Sequence, residues 1–447
     1  MAVKYTIGQV ARPLRSNLSV WNRRAYLPFA ASFFIMLLLA LTASPVWAKK
    51  NLYVDVAGVH GKCSDSVTYA GNYQTHPWCT IQKAADNVNP GDTIIVANGT
   101  YTSMGSTNYM VDITKGGSSS AWVTFKAENK WGAVLDGGSK GEQPGGPHDW
   151  GFLIDGNISY IRIEGFEVKN FAYIGMGLAD AVTSTNIYFY GNRIHDMGRY
   201  QVVDTNCTSG DATVGRAGIY SGASASYITV DSNVIYNIGR LPGGACSDHD
   251  YRHDHGIYLN ANNVNIKNNT FYNCAAGWPV MNSWGDYFNI VNNTFYGANP
   301  QQNGHIIVQG NDKNSFYIEN NISYGAKNSF VFFYPSNGRA ININNNLIYN
   351  GSLETCDDNN GGATCATLTY SQSNNIIGRD PLFVNASTHD FHLQSGSPAI
   401  DKGSPENAPS HDHDHNIRPQ GLAYDIGAYE YMGKSASGDA TTSLDDK

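Results

Sequence analysis

The sequence is poor in charge and in the residues that build long helices. Only 15% of its 447 residues are charged, and Ala, Leu, Glu and Lys do not dominate the composition. That shortage excludes a coiled coil or a helical bundle. The chain has instead 47 Gly, 47 Asn, 28 Tyr and 17 Phe, residues that favour tight turns and strands. We therefore expect an all-β protein with many bends.

The first 48 residues have no acidic side chain and five basic ones. An almost unbroken apolar run, Leu27 to Ala43, follows the basic region, and small residues precede Ala48. This order is typical of a secretory signal peptide over residues 1–48, cleaved after Ala48. An uncleaved membrane anchor is the alternative, because the apolar run is about long enough to span a bilayer. We expect a periplasmic, extracellular or cell-surface protein.

Removal of residues 1–48 leaves 24 basic and 37 acidic side chains, a net charge of −13. Nucleic acid is excluded as a partner, since its binding relies on neutralising phosphates. After cleavage we expect a monomer with no stable membrane partner and no organic cofactor.

All seven cysteines lie in the part that would be exported, where disulfides persist. Local spacing predicts two short-range bridges, Cys63 with Cys79 and Cys356 with Cys365. Cys207 with Cys246 would be a long-range pair. Cys274 is left as a buried free thiol, and no cysteine spacing matches a zinc site.

A short pattern returns seven times from residue 160 onward, as in Ile187-x-Phe189-x-x-Asn192-x-Ile194. Each copy is a strand, a one-residue bend and another strand. The bends fall at positions 166, 192, 233, 269, 293, 321 and 346. Such a repeat predicts coils of parallel strands stacked on one another, with the bend Asn residues forming a ladder of amide hydrogen bonds. The sequence therefore predicts a parallel β-helix.

Four of the intervals between bends are 24 to 28 residues, whereas two adjacent intervals are 41 and 36. The longer intervals predict loop insertions at about 195–225 and 238–255. Insertions in a solenoid tend to line one face, often the binding face. Cys207 lies in the first insertion and Cys246 in the second, so a bridge would tie the two loops together.

Several motifs stand in order at the two ends of the mature chain: Asn51-Leu-Tyr-Val-Asp55, Pro77 to Ala85, Pro90 to Val96 and Asn98 to Tyr101 at the start, and Asp380 to Phe383, Asp390 to Leu393, Ser395 to Asp401, Arg418 to Gly421 and Tyr424 to Glu430 at the end. Both ends resemble those of secreted right-handed parallel β-helix proteins of the pectate-lyase-like superfamily. The resemblance implies a single-stranded right-handed β-helix with an N-terminal cap helix and a C-terminal cap segment. It implies a carbohydrate-active role, since the superfamily includes lyases, epimerases and hydrolases, although it also includes non-catalytic surface proteins.

The expected organisation follows from the repeat and these ends. Residues 49–140 form the N-terminal cap and first coils, 141–350 the coils with inserted loops, 351–431 the C-terminal coils and cap, and 432–447 a disordered tail.

The densest group of titratable residues runs from Asp248 to Tyr258. Its composition suits removal of the carbon-5 proton of a uronic acid, which needs a neutralised carboxylate, a base and an acid. Either Arg252 or a Ca²⁺ ion could neutralise the carboxylate, and His253 or His255 could be the base. Tyr258 could be the acid or could orient the sugar. The candidate Ca²⁺ ligands are Asp248, Asp250 and Asp254.

Arg216 and Tyr220 occupy the corresponding positions one coil earlier, so stacking would bring Arg216 towards His253–His255 and Tyr220 under Tyr258. Trp278, Trp284 and His305 fall on later coils, where they could contact sugar or simply pack. A second run, His411-Asp-His-Asp-His415, could bind metal or form a turn of the closing segment.

We therefore expect a polysaccharide lyase acting on an acidic glycan. A carbon-5 epimerase is the nearest alternative. A glycoside hydrolase would use paired carboxylates, and the chain carries only Asp254-His255-Gly256 of the polygalacturonase motifs. A non-catalytic glycan-binding adhesin or matrix protein is the remaining alternative.

Overall fold

The computed structural model describes residues 49–102, 108–138, 149–180, 182–199, 215–240, 253–274, 277–283, 285–297, 304–309, 316–326, 329–333, 340–356 and 370–433. The expected signal peptide and the residues Cys207, Cys246, Asp248, Asp250, Arg252, Trp284 and Cys365 lie outside these ranges. Within the described part, no helix is both long and apolar enough to cross a membrane.

Thirty strands and one α-helix make up the regular structure of the described residues. The helix is α1, Ile81–Asn87. The strands are β1 Asn51–Val54, β2 Thr93–Val96, β3 Gly99–Tyr101, β4 Tyr109–Ile113, β5 Val123–Ala127, β6 Ala133–Asp136, β7 Trp150–Ile154, β8 Ser159–Glu164, β9 Glu167–Lys169, β10 Ile174–Leu178, β11 Thr185–Tyr190, β12 Arg193–Met197, β13 Ala217–Asp231, β14 Val234–Ile238, β15 His255–Lys267, β16 Thr270–Cys274, β17 Val280–Ser283, β18 Phe288–Val291, β19 Thr294–Tyr296, β20 Gly304–Gln309, β21 Phe316–Glu319, β22 Ile322–Tyr324, β23 Ser329–Phe333, β24 Ile341–Asn344, β25 Leu347–Tyr349, β26 Ser352–Cys356, β27 Tyr370–Ser373, β28 Ile376–Ile377, β29 Phe383–Asn385 and β30 Asp390–Leu393.

All strands except β29 and β30, which pair antiparallel, form three parallel sheets in which successive coils stack strand on strand. Sheet A holds β4, β7, β10, β17, β20, β23, β26 and the first halves of β13 and β15. Sheet B holds β1, β2, β5, β8, β11, β18, β21, β24, β27 and the second halves of β13 and β15. Sheet C holds β3, β6, β9, β12, β14, β16, β19, β22, β25 and β28. The chain is a parallel β-helix, as the repeat predicts.

The predicted asparagine ladder lies at the bend between sheets B and C. Asn269 shows the pattern: its Nδ2 donates to Oδ1 of Asn293 at 3.0 Å, and its Oδ1 accepts from Nδ2 of Asn233 at 3.0 Å. The same contacts join Asn192, Asn321, Asn346 and Asn375 into one column. Because all of these amides except that of Asn375 are buried, the ladder satisfies groups that would otherwise be costly to bury.

The bend differs from the expected single residue, since it contains two. The residue before each ladder asparagine has a positive φ, for example 56° at Asn268 and 53° at Asn292. Its side chain points away from the ladder: Nδ2 of Asn292 donates to the carbonyl oxygen of Asp425 at 2.9 Å. Asn side chains therefore form hydrogen bonds both inside the coils, in the ladder, and on their outer flank, with the C-terminal segment.

The helix predicted near the start is α1. Thr80 caps it, since its Oγ1 accepts a hydrogen bond from the N–H of Lys83 at 3.2 Å. Ile81, Ala84 and Ala85 are buried at the spacing of one helical face. That face joins the core of the coils, which consists of the inward residues of the three sheets.

The C-terminal segment, residues 383–431, packs along the outer flank of the coils. Phe383, Phe391 and Tyr429 form a second apolar cluster with outward residues of sheet C such as Ile322 and Leu347. Within it, Arg418 and Glu430 form a buried ion pair, with 2.6 Å between Nη1 and Oε1.

Two cysteine predictions are confirmed. Cys63 and Cys79 are joined in a disulfide, and Cys274 is a buried free thiol. Cys356 is disulfide-bonded as well. Its predicted partner and the expected Cys207–Cys246 bridge lie outside the described residues.

Candidate functional site

The candidate site lies where strands β10, β13 and β15 of sheet A begin. The coil register pairs Ala217 with His255 and Tyr220 with Tyr258. The two tyrosine rings stack with centroids 5.4 Å apart. The stacking of Tyr220 on Tyr258 that the repeat predicts is therefore present.

A break in strand alternation brings His255 and Tyr258 to the same side of sheet A. A Cβ built on Gly256 would lie 3.3 Å from the core ring of Phe271, and Ile257 is fully buried in the core. Gly256 and Ile257 therefore both face the core, and their neighbours His255 and Tyr258 both lie on the outer side of sheet A. Position 256 must be glycine, since the same Cβ would lie 2.5 Å from the carbonyl oxygen of Pro279.

A buried ion pair holds the turn that precedes β15. Asp254 Oδ1 accepts from Arg240 Nη2 at 2.8 Å, and Oδ2 accepts from Nε at 2.9 Å. The backbone N–H of Arg216 donates to Oδ1 as well, at 3.0 Å. Asp254 and Arg240 are completely buried. These contacts fix the chain at Arg216 and His253 relative to each other.

The expectation that Asp254 is a calcium ligand does not fit this position. Both of its oxygens accept hydrogen bonds from Arg240, and the guanidinium already neutralises its charge. No group of three His, Cys, Asp or Glu side chains in the described part of the chain is arranged to hold a metal ion. Asp248 and Asp250 lie outside that part.

A cavity of about 230 Å³ opens at this edge of sheet A, and we call it the aromatic cavity. It is lined by Tyr173, Gly215, Arg216, Ala217, Tyr220, His253 and Tyr258. Gly215 allows the close approach that forms one wall, because a Cβ there would lie 1.9 Å from the carbonyl oxygen of His253. Arg216, His253 and Tyr258 therefore border one space.

Aromatic rings build the wall on the side of the earlier coils. Trp150 packs edge-on against Tyr173 and Tyr220, with centroids 5.6 and 5.8 Å away. The guanidinium carbon of Arg216 lies 5.4 Å from the Tyr173 ring centroid. Burial raises the pKa of Tyr173 to about 12, so its hydroxyl stays protonated at neutral pH.

Tyr220 is anchored by Asp180, whose carboxylate accepts a hydrogen bond from the phenol. Burial raises the pKa of Tyr220, and this hydrogen bond raises it further. Tyr220 is thus a fixed, neutral wall of the cavity, whereas no such bond to the Tyr258 hydroxyl is present in the described part.

His255 does not line the aromatic cavity, although the sequence offers it as a base equal to His253. It is 1% exposed, and its Nδ1 accepts the backbone N–H of Trp278 at 3.2 Å. Burial lowers the pKa of His255 to about 3. His253 is the exposed member of the pair, so the structure favours it over His255.

Two of the later residues expected to contact sugar, Trp278 and His305, are buried. His305 is 1% exposed and shares hydrogen bonds with Ser323 Oγ and the Gly297 carbonyl at 2.9 and 3.0 Å. The expectation of a sugar contact at His305 is therefore wrong. Trp278 packs with Met281, Ile307 and Phe332, in agreement with the packing alternative.

A second cavity of about 240 Å³ lies beside the C-terminal segment. His413 and His415 border it together with Lys126, Lys130, Glu128, Glu164 and Tyr190. Its two carboxylates are in ion pairs, Glu128 with His60 at 2.8 Å and Glu164 with Lys126 at 3.1 Å. The His411–His415 run is a turn of the closing segment, which was one of its two predicted roles.

Sequence reasoning missed Trp150, Tyr173 and Asp180. The signal for Tyr173 was present, because Tyr173-Ile-Gly, Arg216-Ala-Gly and Asp254-His-Gly stand at matching positions of three coils. Trp150 carries the same signal in Asp149-Trp-Gly, one coil earlier. Asp180 has no such signal, since only the stacked coils bring it beside Tyr220.

Comparisons with known proteins agree on the fold. No family model matches the chain, and no curated protein matches its sequence. Among solved structures, the pectate lyase Pel9A is 15% identical, with a TM-score of 0.50 over 87% of this chain and 98% of that one. An alginate lyase from Paenibacillus sp. str. FPU-7 is 17% identical, with a TM-score of 0.42 over 66% of this chain and 92% of that one. The chain is thus a parallel β-helix protein with the fold of a pectate lyase.

Proposed function

We propose that the chain is a secreted polysaccharide lyase that cleaves a uronic-acid-containing glycan by β-elimination in the aromatic cavity. The observation that carries the proposal is the convergence of Arg216, His253 and Tyr258 on that cavity. The fold supports it, because the pectate lyase Pel9A has the same architecture. The Cys63–Cys79 disulfide agrees with an exported chain.

The reaction assigns one role to each of three side chains. Arg216, completely buried at the cavity wall, acts through its positive charge on the sugar carboxylate, which makes the carbon-5 proton more acidic by stabilising the negative charge that develops. His253 takes that proton as general base. The electrons of the carbon–hydrogen bond form the carbon-4 to carbon-5 double bond, and the bond from carbon 4 to the bridging oxygen breaks. Tyr258 gives its proton to the leaving oxygen.

The tyrosine wall positions the sugar in this scheme. Tyr220 and Tyr258 present a stacked aromatic surface, and sugar rings pack on such surfaces through their apolar carbon–hydrogen faces. Since Asp180 already accepts the Tyr220 proton, Tyr258 is the better proton donor.

The composition of the cavity argues against hydrolysis. A glycoside hydrolase needs two carboxylates flanking the scissile bond, and none of the described residues that line the aromatic cavity is Asp or Glu. A carbon-5 epimerase would share the first step with the lyase and differ only in the fate of the anion.

The test is a panel of acidic and neutral polysaccharides incubated with the protein, with and without a Ca²⁺ chelator. We expect an ultraviolet-absorbing unsaturated product and a matching product mass on at least one uronate polymer. Loss of that signal with the chelator, and its return with added Ca²⁺, would contradict the role of Arg216 and assign the neutralisation of the sugar carboxylate to a bound Ca²⁺ ion. Saturated reducing ends, changed uronate composition at constant chain length, or binding without any product would each overturn the lyase proposal.

A further inference from the structure

A row of residues with positive φ runs along the bend between sheets A and B, and three of them are tyrosines. The row is Tyr160, Asn186, Tyr227, Asn263 and Tyr287, with φ values of 61°, 58°, 56°, 57° and 59°. The strand registers on either side place these residues directly above one another in five successive coils. We call this row the tyrosine ridge.

The backbone does not favour tyrosine at these positions. A bulky residue in the left-handed region costs about 1 kcal/mol, and the bend between sheets B and C avoids that cost. Where this bend has two residues, its positive-φ positions are occupied by small or amide residues: Gly165, Gly191, Ser232, Asn268, Asn292, Asn320, Asn345 and Asn374. Trp131, with a φ of 66°, lies in the longer bend between β5 and β6. The ridge itself has asparagine in two of its five coils. Its three tyrosines are therefore retained against the local conformational preference, which points to a use for their side chains.

The ridge tyrosines are available to a partner. Tyr227 is 56% exposed and Tyr287 is 47% exposed, and Tyr160 is partly exposed. Trp122 extends the row by one coil, with its ring edge-on to Tyr160 at 5.5 Å. None of the five ridge residues carries a charge, so an acidic glycan can lie on them without the repulsion that the acidic chain exerts elsewhere.

The spacing of the tyrosines identifies the partner. Neighbouring coils are about 4.8 Å apart, so tyrosines in alternate coils are about 9.6 Å apart. That distance matches the disaccharide repeat of an extended 1,4-linked polysaccharide. Every second sugar ring can then stack on a tyrosine, and the intervening sugar lies beside Asn186 or Asn263, whose amides can hydrogen-bond its hydroxyl groups.

We propose that the tyrosine ridge binds an extended polysaccharide chain along the axis of the β-helix, as a site separate from the aromatic cavity. The ridge binds without bond cleavage and holds the protein on a long glycan. This inference goes beyond the lyase proposal and does not depend on it, because stacking needs only the ridge side chains.

The experiment replaces all three tyrosines by asparagine, the residue that the chain itself uses at positions 186 and 263. Because asparagine suits a positive φ, Tyr160→Asn/Tyr227→Asn/Tyr287→Asn is expected to melt at the same temperature as the wild type or higher. Loss of binding in this variant therefore cannot come from unfolding. The matched control is Tyr73→Asn, since Tyr73 is 58% exposed and lies outside the ridge.

The measurement is affinity electrophoresis in gels that contain alginate, polygalacturonate, carboxymethyl cellulose or xylan. We expect at least one polymer to retard the wild type and Tyr73→Asn equally, and the triple variant to bind about tenfold or more weakly. Retardation should vanish for oligosaccharides too short to reach two tyrosines. Equal retardation of the triple variant, or no retardation of the wild type by any polymer, would overturn the ridge proposal. Loss of binding in His253→Ala with full binding in the triple variant would instead place all binding in the aromatic cavity.

Discussion

Two histidine–aspartate runs of nearly the same composition have different surroundings in this molecule. His253-Asp254-His255 opens strand β15 beside the aromatic cavity, together with Arg216 and Tyr258. His411–His415 lies in the C-terminal segment and borders the second cavity. Both runs combine histidines with buried aspartates, and both lie at a cavity. The difference between them is therefore one of arrangement and not of composition.

The side chains of the second run form hydrogen bonds with backbone groups of the C-terminal segment and of the coils. Asp412 Oδ1 accepts the N–H groups of Asp414 and Asn416 at 2.9 and 2.8 Å. His413 Nδ1 donates to the carbonyl oxygen of Asn268 at 2.8 Å. Burial lowers the pKa of His413 to about 4, so its ring is neutral at pH 7. The run ties the segment to the coils. In the first run Asp254 and His255 have comparable tasks, since Asp254 pairs with Arg240 and His255 accepts the N–H of Trp278, and His253 is exposed at the cavity.

The largest effect is expected from Asp254, the structural member of the first run. Asp254→Asn leaves the buried guanidinium of Arg240 without its counter-charge, which costs about 3–5 kcal/mol of folding free energy. Asp412→Asn removes one acceptor from a turn and should cost about 1–2 kcal/mol. Chemical denaturation measures both. Equal losses of folding free energy in the two variants would contradict the role of the Asp254–Arg240 ion pair in fixing the turn before β15.

Arg216 is expected to affect catalysis and stability together, because its side chain is completely buried at the cavity. Arg216→Lys keeps the positive charge but loses the planar guanidinium. We expect turnover of the uronate polymer to fall by about a hundredfold at a temperature where the variant is still folded, and the melting temperature to fall as well. Arg240→Lys, in the buried pair with Asp254, should lower the melting temperature with a smaller change in turnover. If Arg216→Lys retained full turnover, another group would have to neutralise the sugar carboxylate.

A further expected effect is a dependence of stability on pH that has two limbs. His413 has a pKa of about 4 in the folded chain against 6.5 in the unfolded one. Between these values the unfolded chain binds a proton that the folded chain excludes, so stability falls as the pH drops below 6.5. His255 and His305, whose pKa values burial lowers to about 3 and 4, contribute to the same limb.

His392 produces the other limb. Hydrogen bonds to Asp414 and Asp390 raise its pKa to about 9. Its stabilisation is complete below pH 6.5 and disappears as the pH rises towards 9. We expect a maximum melting temperature near pH 6.5, and His392→Gln should remove the alkaline decline alone. A decline that persists in this variant would mean that His392 does not cause it.

The sequence predicts the coil of this protein well because each coil repeats the same physical requirement. The Asn ladder follows from Asn recurring after an alternating strand, and Asn375 extends it. The Cys63–Cys79 bridge follows from short spacing. The course of the C-terminal segment does not follow, because it depends on contacts such as Asn292 with Asp425, more than a hundred residues apart.

The candidate site is less predictable for a specific reason. Alternation along a strand decides which side chains share a face, and Gly256 breaks that alternation just before Tyr258. His253 and His255 look equivalent in the sequence, yet one borders the cavity and the other lies beneath Tyr258 and Trp278, with ring centroids 5.6 and 6.0 Å away. Burial of this kind depends on the next coil and has no local signature.

The most direct test compares His253→Ala with His413→Ala by turnover of a uronate polymer and by melting temperature. We predict that His253→Ala lowers formation of the unsaturated product by about a hundredfold or more and leaves the melting temperature unchanged. His413→Ala should lower the melting temperature and leave turnover at 25 °C unchanged. Unimpaired product formation by His253→Ala, or a loss of turnover that only follows a loss of stability, would contradict the assignment of the aromatic cavity as the catalytic site.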